Sequence, residues 1–337
     1  MNESQYNDFT SHVGSPSHGF SAKLTSPKVL AQILKMLNFR EDVTITVGVN
    51  GLKITAEVSK SFQANAFIQR ETFLEYKVAK EIEAGEEETV FNISISTLIE
   101  CLNLCGAGTG MSANTMSSLP TNYTNISNLP TTSMMLYYSD SGDPLRIWLE
   151  EDGVISGKNL VRHSPEKQNF LKLKMYFLFN LIHDIYSGAT IPTMDGGDTL
   201  SFDDAHHNTN VIARIIMLTE LLKDVIQELD SKCDCVEFVM CPVTKVFSMS
   251  TYGTDANLCL EIPFDSEIVS HSEVNEYICV RYQLSLLKHA LKPISMAEKV
   301  SIRIDAKKLL SIQYMIQLND DTKSYMEFYC APDIDIE

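Results

Sequence analysis

The sequence predicts an α+β protein built from two pattern-equivalent halves, each mixing antiparallel strands with two helices. Three observations predict it. Apolar and polar residues alternate in short runs bounded by turn signals such as Asn50-Gly51 and Asp152-Gly153. At two places a strand pattern runs straight into an amphipathic helix, and the two strings match in pattern: Phe91-Asn-Ile-Ser-Ile-Ser-Thr-Leu-Ile-Glu-Cys-Leu and Val280-Arg-Tyr-Gln-Leu-Ser-Leu-Leu-Lys-His-Ala-Leu. The 337 residues, 44% hydrophobic and 21% charged, are those of a folded chain long enough for two domains.

In chain order, residues 1–19 are rich in Ser, Gly, His and Asn and are expected to form a disordered tail. Pro27–Asn38 places Val29, Leu30, Ile33, Leu34 and Leu37 at helical spacing. Val43–Val49 and Leu52–Val58 alternate as strands around the hairpin signal Asn50-Gly51. Strands follow at Ala64–Gln69, Phe73–Val78 and Val90–Ile95, then a helix over Ser96–Leu104 capped by Ser96. Met134–Asp140, Pro144–Glu150 and Gly153–Val161 read as a meander with turns at Ser141-Gly142 and Asp152-Gly153.

The second half repeats this order. Leu200–Asp203 reads as a strand and Asn208–Leu229 as a long helical region. Glu237–Cys241, Val246–Thr251, Asn257–Ile262 and Glu276–Tyr282 are predicted strands, followed by a helix over Leu284–Lys292. Val300–Asp305, Leu309–Leu318 and Ser324–Cys330 complete a second meander. The expected organisation is a tail (1–19), a first domain (20–163), a connector (164–199), a second domain (200–332) and an acidic tail (333–337). The Ser/Thr/Asn/Gly-rich stretch 106–133 is expected to be a flexible insertion in the first domain.

Charge carries the functional signal. The chain holds 27 basic and 44 acidic side chains, a net charge of −17. Yet Lys28, Gln32 and Lys35 share the polar face of the first helix, and Ser285, Lys288 and Lys292 that of the last. Arg214, on the helix expected over Asn208–Leu229, adds a third cation, whereas Ser96–Leu104 offers Glu100 and Asn103 and none. Solvated faces of amphipathic helices commonly carry lysines. Two such faces at comparable places in an acidic chain suggest instead a surface for a polyanion.

Other chemistries lack their constellations. Gly106-Ala-Gly108-Thr-Gly110 follows a helix and leads into low complexity, so it reads as a loop rather than a phosphate cradle. His206-His207 point in different directions in regular structure and read as a polar turn. Asp265-Ser-Glu267, Asp335-Ile-Glu337 and Glu150-Glu151-Asp152 read as surface charge. The eight cysteines, in no zinc-site spacing, are expected to be reduced and mostly buried. No metal and no cofactor is implied. Phe170–Tyr186 contains Lys172, Lys174, His183 and Asp184 and falls short of the roughly 20 apolar residues a bilayer span needs. With no secretory pattern at the start, the chain is expected to be soluble and intracellular, with no membrane partner.

Several strings resemble one family. Phe39-Arg-Glu, Asn50-Gly-Leu-Lys-Ile-Thr, Gln63-Ala-Asn-Ala-Phe-Ile-Gln69, Lys299-Val-Ser-Ile-Arg303, Leu310-Ser-Ile-Gln-Tyr-Met-Ile316 and Glu327-Phe-Tyr-Cys-Ala-Pro-Asp333 are similar to the Rad-one subunit of the heterotrimeric DNA-damage checkpoint clamp, the nine-one-one complex. Pro144-Leu-Arg-Ile-Trp-Leu-Glu-Glu-Asp-Gly153 resembles that family's hairpin. The resemblance implies a DNA-clamp (PCNA-like) fold: two pseudo-repeated domains with antiparallel sheets outside and helices lining the inner face. It implies a non-catalytic subunit of a nuclear ring that encircles DNA in checkpoint signalling, repair and cell-cycle control. The implied partners are two other PCNA-like subunits, of the Rad-nine and Hus-one types, a clamp loader, and double-stranded or primed DNA held without sequence specificity. Lys28, Gln32, Lys35, Arg214, Ser285, Lys288 and Lys292 would then face DNA. Subunits would meet at edge strands containing Gly153, Val154, Ile155 and Val161 in the first half and Asn257, Leu258, Cys259 and Leu260 in the second. The alternatives are a 3′-to-5′ exonuclease, an activity attached to this family, and a homotrimeric processivity clamp.

Overall fold

The computed structural model describes residues 19–25, 27–84, 88–103, 132–140, 142–151, 154–155, 188–191, 194–195, 211–220, 222–223, 233–252, 257–317 and 323–333. Its first elements are strand β1 (Phe20–Leu24), helix α1 (Pro27–Leu37), β2 (Asp42–Gly48), β3 (Gly51–Val58), β4 (Phe62–Gln69), β5 (Glu75–Val78), a single helical turn (Lys80–Glu83), β6 (Thr89–Ser94), helix α2 (Ile95–Leu102), β7 (Thr132–Tyr138), β8 (Leu145–Glu151), β9 (Val154–Ile155), β10 (Gly188–Ile191) and β11 (Met194–Asp195). Then come β12 (Val211–Leu218), β13 (Cys235–Cys241), β14 (Val246–Tyr252), β15 (Asn257–Pro263), β16 (Val269–Val274), β17 (Ile278–Gln283), helix α3 (Leu284–Ala290), β18 (Ala297–Asp305), β19 (Leu310–Gln317) and β20 (Lys323–Cys330). The chain divides into two compact units. Residues up to 52 and 69–197 make one; residues 53–68 and those from 198 onward make the other.

In the first unit, strands run in the order β10-β8-β7-β1-β5, with β9 also paired to β8, and separately β11-β6-β2. The alternation read in β2 buries Val43, Ile45 and Val47. The turn after it resumes at Gly51, whose φ of 132° is open to glycine at no steric cost. Phe91 of β6 and Tyr138 of β7 stack with ring centroids 4.2 Å apart. The hydroxyl of Tyr76 lies 2.8 Å from the carbonyl of Gly48 and 2.9 Å from that of Gly51, tying β5 to that turn. Strands β10 and β11, within the stretch read as a connector, pair with β8 and β6.

In the second unit, one sheet runs β15-β14-β13-β17 and another β3-β4-β20-β19-β18-β12-β16. Phe62, Tyr314 and Phe328 fill one part of its core. Phe238, Phe247 and Tyr282, edge to face, fill another. The string Gln63–Gln69 is β4, and its polar letters have a structural reason. Buried Asn65 accepts at Oδ1 from Thr55 Oγ1 at 2.9 Å and from Gln63 Nε2 at 3.1 Å.

Several expectations are corrected. The helix expected over Asn208–Leu229 is a strand, β12, across Val211–Leu218; helical backbone occurs only at residues 219–220 and 222–223 among those described. Ala213, Ile215 and Met217 point into the core, while Ile212, Arg214, Ile216 and Leu218 are half-buried on the other face. Apolar residues on both faces hid the period of two, and the β-branched Val211, Ile212, Ile215 and Ile216 favour the strand. Helix α2 starts at Ile95, and its cap is Ser94 rather than Ser96: the Thr97 amide donates to Ser94 Oγ at 3.4 Å. Strands β1 and β16 were not expected.

The thiols also depart from expectation. Cys101, Cys233 and Cys330 are buried, Cys235 and Cys241 half-buried, and Cys259 and Cys279 exposed. The last four sit at alternate positions on strands of the β15-β14-β13-β17 sheet, on the side away from buried Phe238, Phe247 and Val280. Residues 1–18, Leu200–Asp203, His206-His207, Gly106–Gly110, Phe170–Tyr186, Asp152-Gly153, Cys105 and the tail beyond Asp333 lie outside the described residues. Among those described, no helix is long and apolar enough to cross a membrane.

Candidate nucleic-acid interface

Helix α1 separates its residues by chemistry. Leu30, Ala31, Ile33, Leu34, Met36 and Leu37 are buried, while Lys28, Gln32 and Lys35 are exposed. Pro27 opens the helix with its φ already set and no amide to satisfy. Lys35 lies in the last turn, where the helix dipole favours a cation; Lys28 lies in the first, where it does not. Helix α2 packs against α1 and buries Ile95, Leu98, Ile99, Cys101 and Leu102. Its outward residues are Ser96 and Glu100, so α2 brings no cation to the surface.

Helix α3, in the second unit, leaves β17 without a break, as α2 leaves β6. Leu284, Leu287 and Ala290 are buried against β13, β17 and β20. Ser285 and Lys292 are exposed and Lys288 is half-buried. Lys292 opens a 3-10 turn, Lys292–Ser295, whose Pro293 and Ile294 are buried. Desolvation lowers the Lys292 pKa from its ordinary value. Desolvation, then the charge of Lys292, lowers that of His289, so the imidazole between the lysines stays neutral near pH 7.

The structure thus brings Lys28, Gln32 and Lys35 together on one helix and Ser285, Lys288 and Lys292 together on another, each set within its own unit. Arg214 joins neither set. It stands on β12 directly opposite Arg303 of β18, which the sequence placed in a family motif but not among the DNA-facing residues. Only strand register brings Arg303 and Arg214 together.

The expected edge strands are partly described. Val154 and Ile155 form β9, paired with Glu151 and Glu150; Gly153 and Val161 lie outside the described residues. Strand β15 is an outermost strand of its sheet, paired with β14 alone among the described residues. Asn257 and Cys259 are exposed on it and Leu258 and Leu260 half-buried. Asp265 and Glu267 are exposed in the turn after β15. Among the described residues no group of three or more His, Cys, Asp or Glu side chains is gathered as a metal site would need.

The described residues therefore define a sheet-rich α+β protein in which helices α1 and α3 carry lysines outward. Comparison with known proteins narrows that class. The profile of the family described as Repair protein Rad1/Rec1/Rad17 matches residues 19–316. The chain is 32% identical over 315 residues to the cell cycle checkpoint protein RAD1 of Mus musculus and to that of Homo sapiens, covering 94% of this chain and 92% of each relative. It is 22% identical over 314 residues to the DNA damage checkpoint control protein rad1 of Schizosaccharomyces pombe, covering 93% of this chain and 86% of that protein. The chain belongs to the Rad1/Rec1/Rad17 repair-protein family, as its motifs indicated.

Proposed function

We propose that this protein is a non-catalytic subunit of a heterotrimeric, PCNA-like ring that encircles DNA and serves as a loaded platform in the DNA-damage checkpoint and in repair. The family match across residues 19–316 carries the reading. The relatives' names, cell cycle checkpoint protein and DNA damage checkpoint control protein, supply the process, and a process acting on DNA supports a nuclear site of action. The two units would be the two clamp domains, with α1, α2 and α3 toward the DNA and the antiparallel sheets outside. Rad-nine-type and Hus-one-type subunits would pair along β9 and β15, since an uncovered strand edge is a template for another chain.

The lysine faces give this reading a mechanism. Duplex DNA carries one negative charge per about 1.7 Å of axis, and cations meeting it release counterions whatever the sequence. Contacts to phosphate position a protein without reading bases, so a ring held by them can slide while its topology keeps it on the duplex. Exposed Lys28, Lys35 and Lys292 and half-buried Lys288 suit such contacts. Glu100 on α2 makes this subunit's share of the lining partial, and the partners would have to complete it.

The test is reconstitution with the two partner subunits and loading onto primed DNA. A one-to-one-to-one ring is expected, with no self-closed trimer of this chain alone. Charge reversal at Lys28, Lys35, Lys288 and Lys292 should leave the ring intact and reduce the salt slope of DNA retention by up to about 0.9 per lysine. An unchanged slope would remove these helices from the DNA-facing surface, and turnover of DNA ends by a nuclease-free preparation would overturn the non-catalytic assignment.

A further inference from the structure

Two arginines of the second unit meet, and neither is ion-paired among the described residues. Arg214 and Arg303 are direct cross-strand partners, so their side chains leave the same face of the sheet with Cβ atoms about 5 Å apart. Like charges placed opposite each other repel. The Nε atoms of both are buried without a hydrogen-bond partner. Burial, and then the neighbouring Arg214, lower the pKa of Arg303, yet a guanidinium stays charged at neutral pH.

The groups around the pair offset its charge only in part, Glu327 and Tyr329 favouring the charged form of Arg303 without an ion pair to it. The arginines border a cavity of about 260 Å³ whose remaining lining residues are Val211 and Glu273. Glu273, opposite Arg214 on β16, is exposed. The ion pairs of the described residues include neither arginine. Glu327, which favours the charged form of Arg303, accepts at Oε1 from Ser311 Oγ at 2.9 Å and from Gln313 Nε2 and makes no ion pair with the arginine. Ser301, the neighbour of Arg303 one row along the same face, also buries an unpartnered Oγ.

We propose that Arg214 and Arg303 form a binding site for a phosphate monoester borne on a flexible side chain of a partner protein, such as phosphoserine or phosphothreonine. One guanidinium can hold one carboxylate bidentately. Two of them match the charge of about −1.5 to −2 and the three acceptor oxygens of a phosphate monoester. A nucleic-acid backbone fits poorly: its phosphates carry substituents on both sides, whereas these donors sit at the wall of a small cavity. Glu273 at the rim would also repel a polyanion running past the site, but it leaves room for one terminal phosphate beyond it.

Isothermal titration of the full chain with O-phospho-L-serine, inorganic phosphate, L-glutamate and a single-stranded oligonucleotide tests the site. Saturable one-to-one binding of O-phospho-L-serine is expected, tighter than that of inorganic phosphate or L-glutamate. Arg214→Gln and Arg303→Gln should each weaken it by at least about 10-fold, the loss of one charged hydrogen-bonding partner. Glu273→Gln should tighten it by about 5-fold through the loss of a nearby like charge, a gain that misfolding cannot mimic. Binding should weaken from about pH 7.5 to about pH 5.5, as the phosphate loses its second charge near a pKa of about 6. Absence of saturable binding, or binding indifferent to both arginine variants, overturns the site. L-glutamate bound as tightly as O-phospho-L-serine overturns the phosphate assignment, tighter inorganic phosphate overturns the side-chain source, and preference for the oligonucleotide overturns the partner class.

Discussion

Replacing Tyr314 with Phe should make the second unit more stable, against the usual sense of a Tyr-to-Phe change in a core. Tyr314 is 1% exposed, and its hydroxyl is buried with no hydrogen-bond partner. A buried unpaired hydroxyl costs about 1–3 kcal/mol. Its removal leaves a void of about 15 Å³, worth about 0.4 kcal/mol at the usual cavity coefficient. The ring keeps its edge-to-face contact with Phe328, centroids 6.0 Å apart at 81°. The net expectation is a gain of about 1 kcal/mol, or an upward shift of about 0.3 M in the urea midpoint for a slope near 3 kcal/mol/M. Tyr282 is the matched control, because its hydroxyl donates to the Lys308 carbonyl at 2.9 Å. Tyr282→Phe loses that bond and should shift the midpoint down by a similar amount. The measurement is urea unfolding of both variants with unchanged slope; a lower midpoint for Tyr314→Phe would refute the accounting.

Burial holds both phenols protonated above their ordinary value of 10.0, with Cys330 and Asp305 adding to the effect on Tyr282. A raised folded pKa means stability that is complete below the unfolded value and lost as pH rises above it. The protein should therefore weaken above about pH 10, and Tyr314→Phe should lessen that loss in alkaline urea titrations. At the start of α2, Ser94→Ala should cost about 0.5–1 kcal/mol by thermal unfolding, whereas Ser96→Ala should be close to neutral; equal effects would return the cap to Ser96. A Cβ at Gly19 would stand 2.0 Å from the carbonyl oxygen of Tyr138, so Gly19→Ala must push β1 from β7 and should cost about 1–3 kcal/mol, read as faster amide exchange in those strands.

Where one side of an element is buried and the other wet, its letters were legible. Helix α1 shows this, with Leu30, Ile33, Leu34 and Leu37 under Lys28, Gln32 and Lys35, and so do β2 and β13. The two strand-to-helix junctions were legible because the period changes within a few residues, at Ser94 and at Gln283. Strand β16 was not: Val-Ser-His-Ser-Glu-Val has little apolar content, and its place at the end of its sheet leaves none of it buried. Strands β10 and β11 pair with β8 and β6, partners distant in sequence.

The misreading of β12 shows why the candidate sites differed in legibility. Val211-Ile-Ala-Arg-Ile-Ile-Met-Leu218 is apolar at nearly every position, so periods of 3.6 and of 2 describe it equally well. On a helix, Arg214 would have been one more outward cation of the kind found at Lys35. On a strand its neighbours are fixed by register, Arg303 on one side and Glu273 on the other. The lysines of α1 and α3 lie within a few residues of one another, so a stripe in the sequence already defines their surface. The arginine pair joins positions 89 residues apart, counting from 214 to 303, and exists only once β12 and β18 lie side by side. A cation's meaning in this chain is therefore set by where the fold puts it: an outward helix face for Lys28 and Lys35, a place beside a second guanidinium for Arg214.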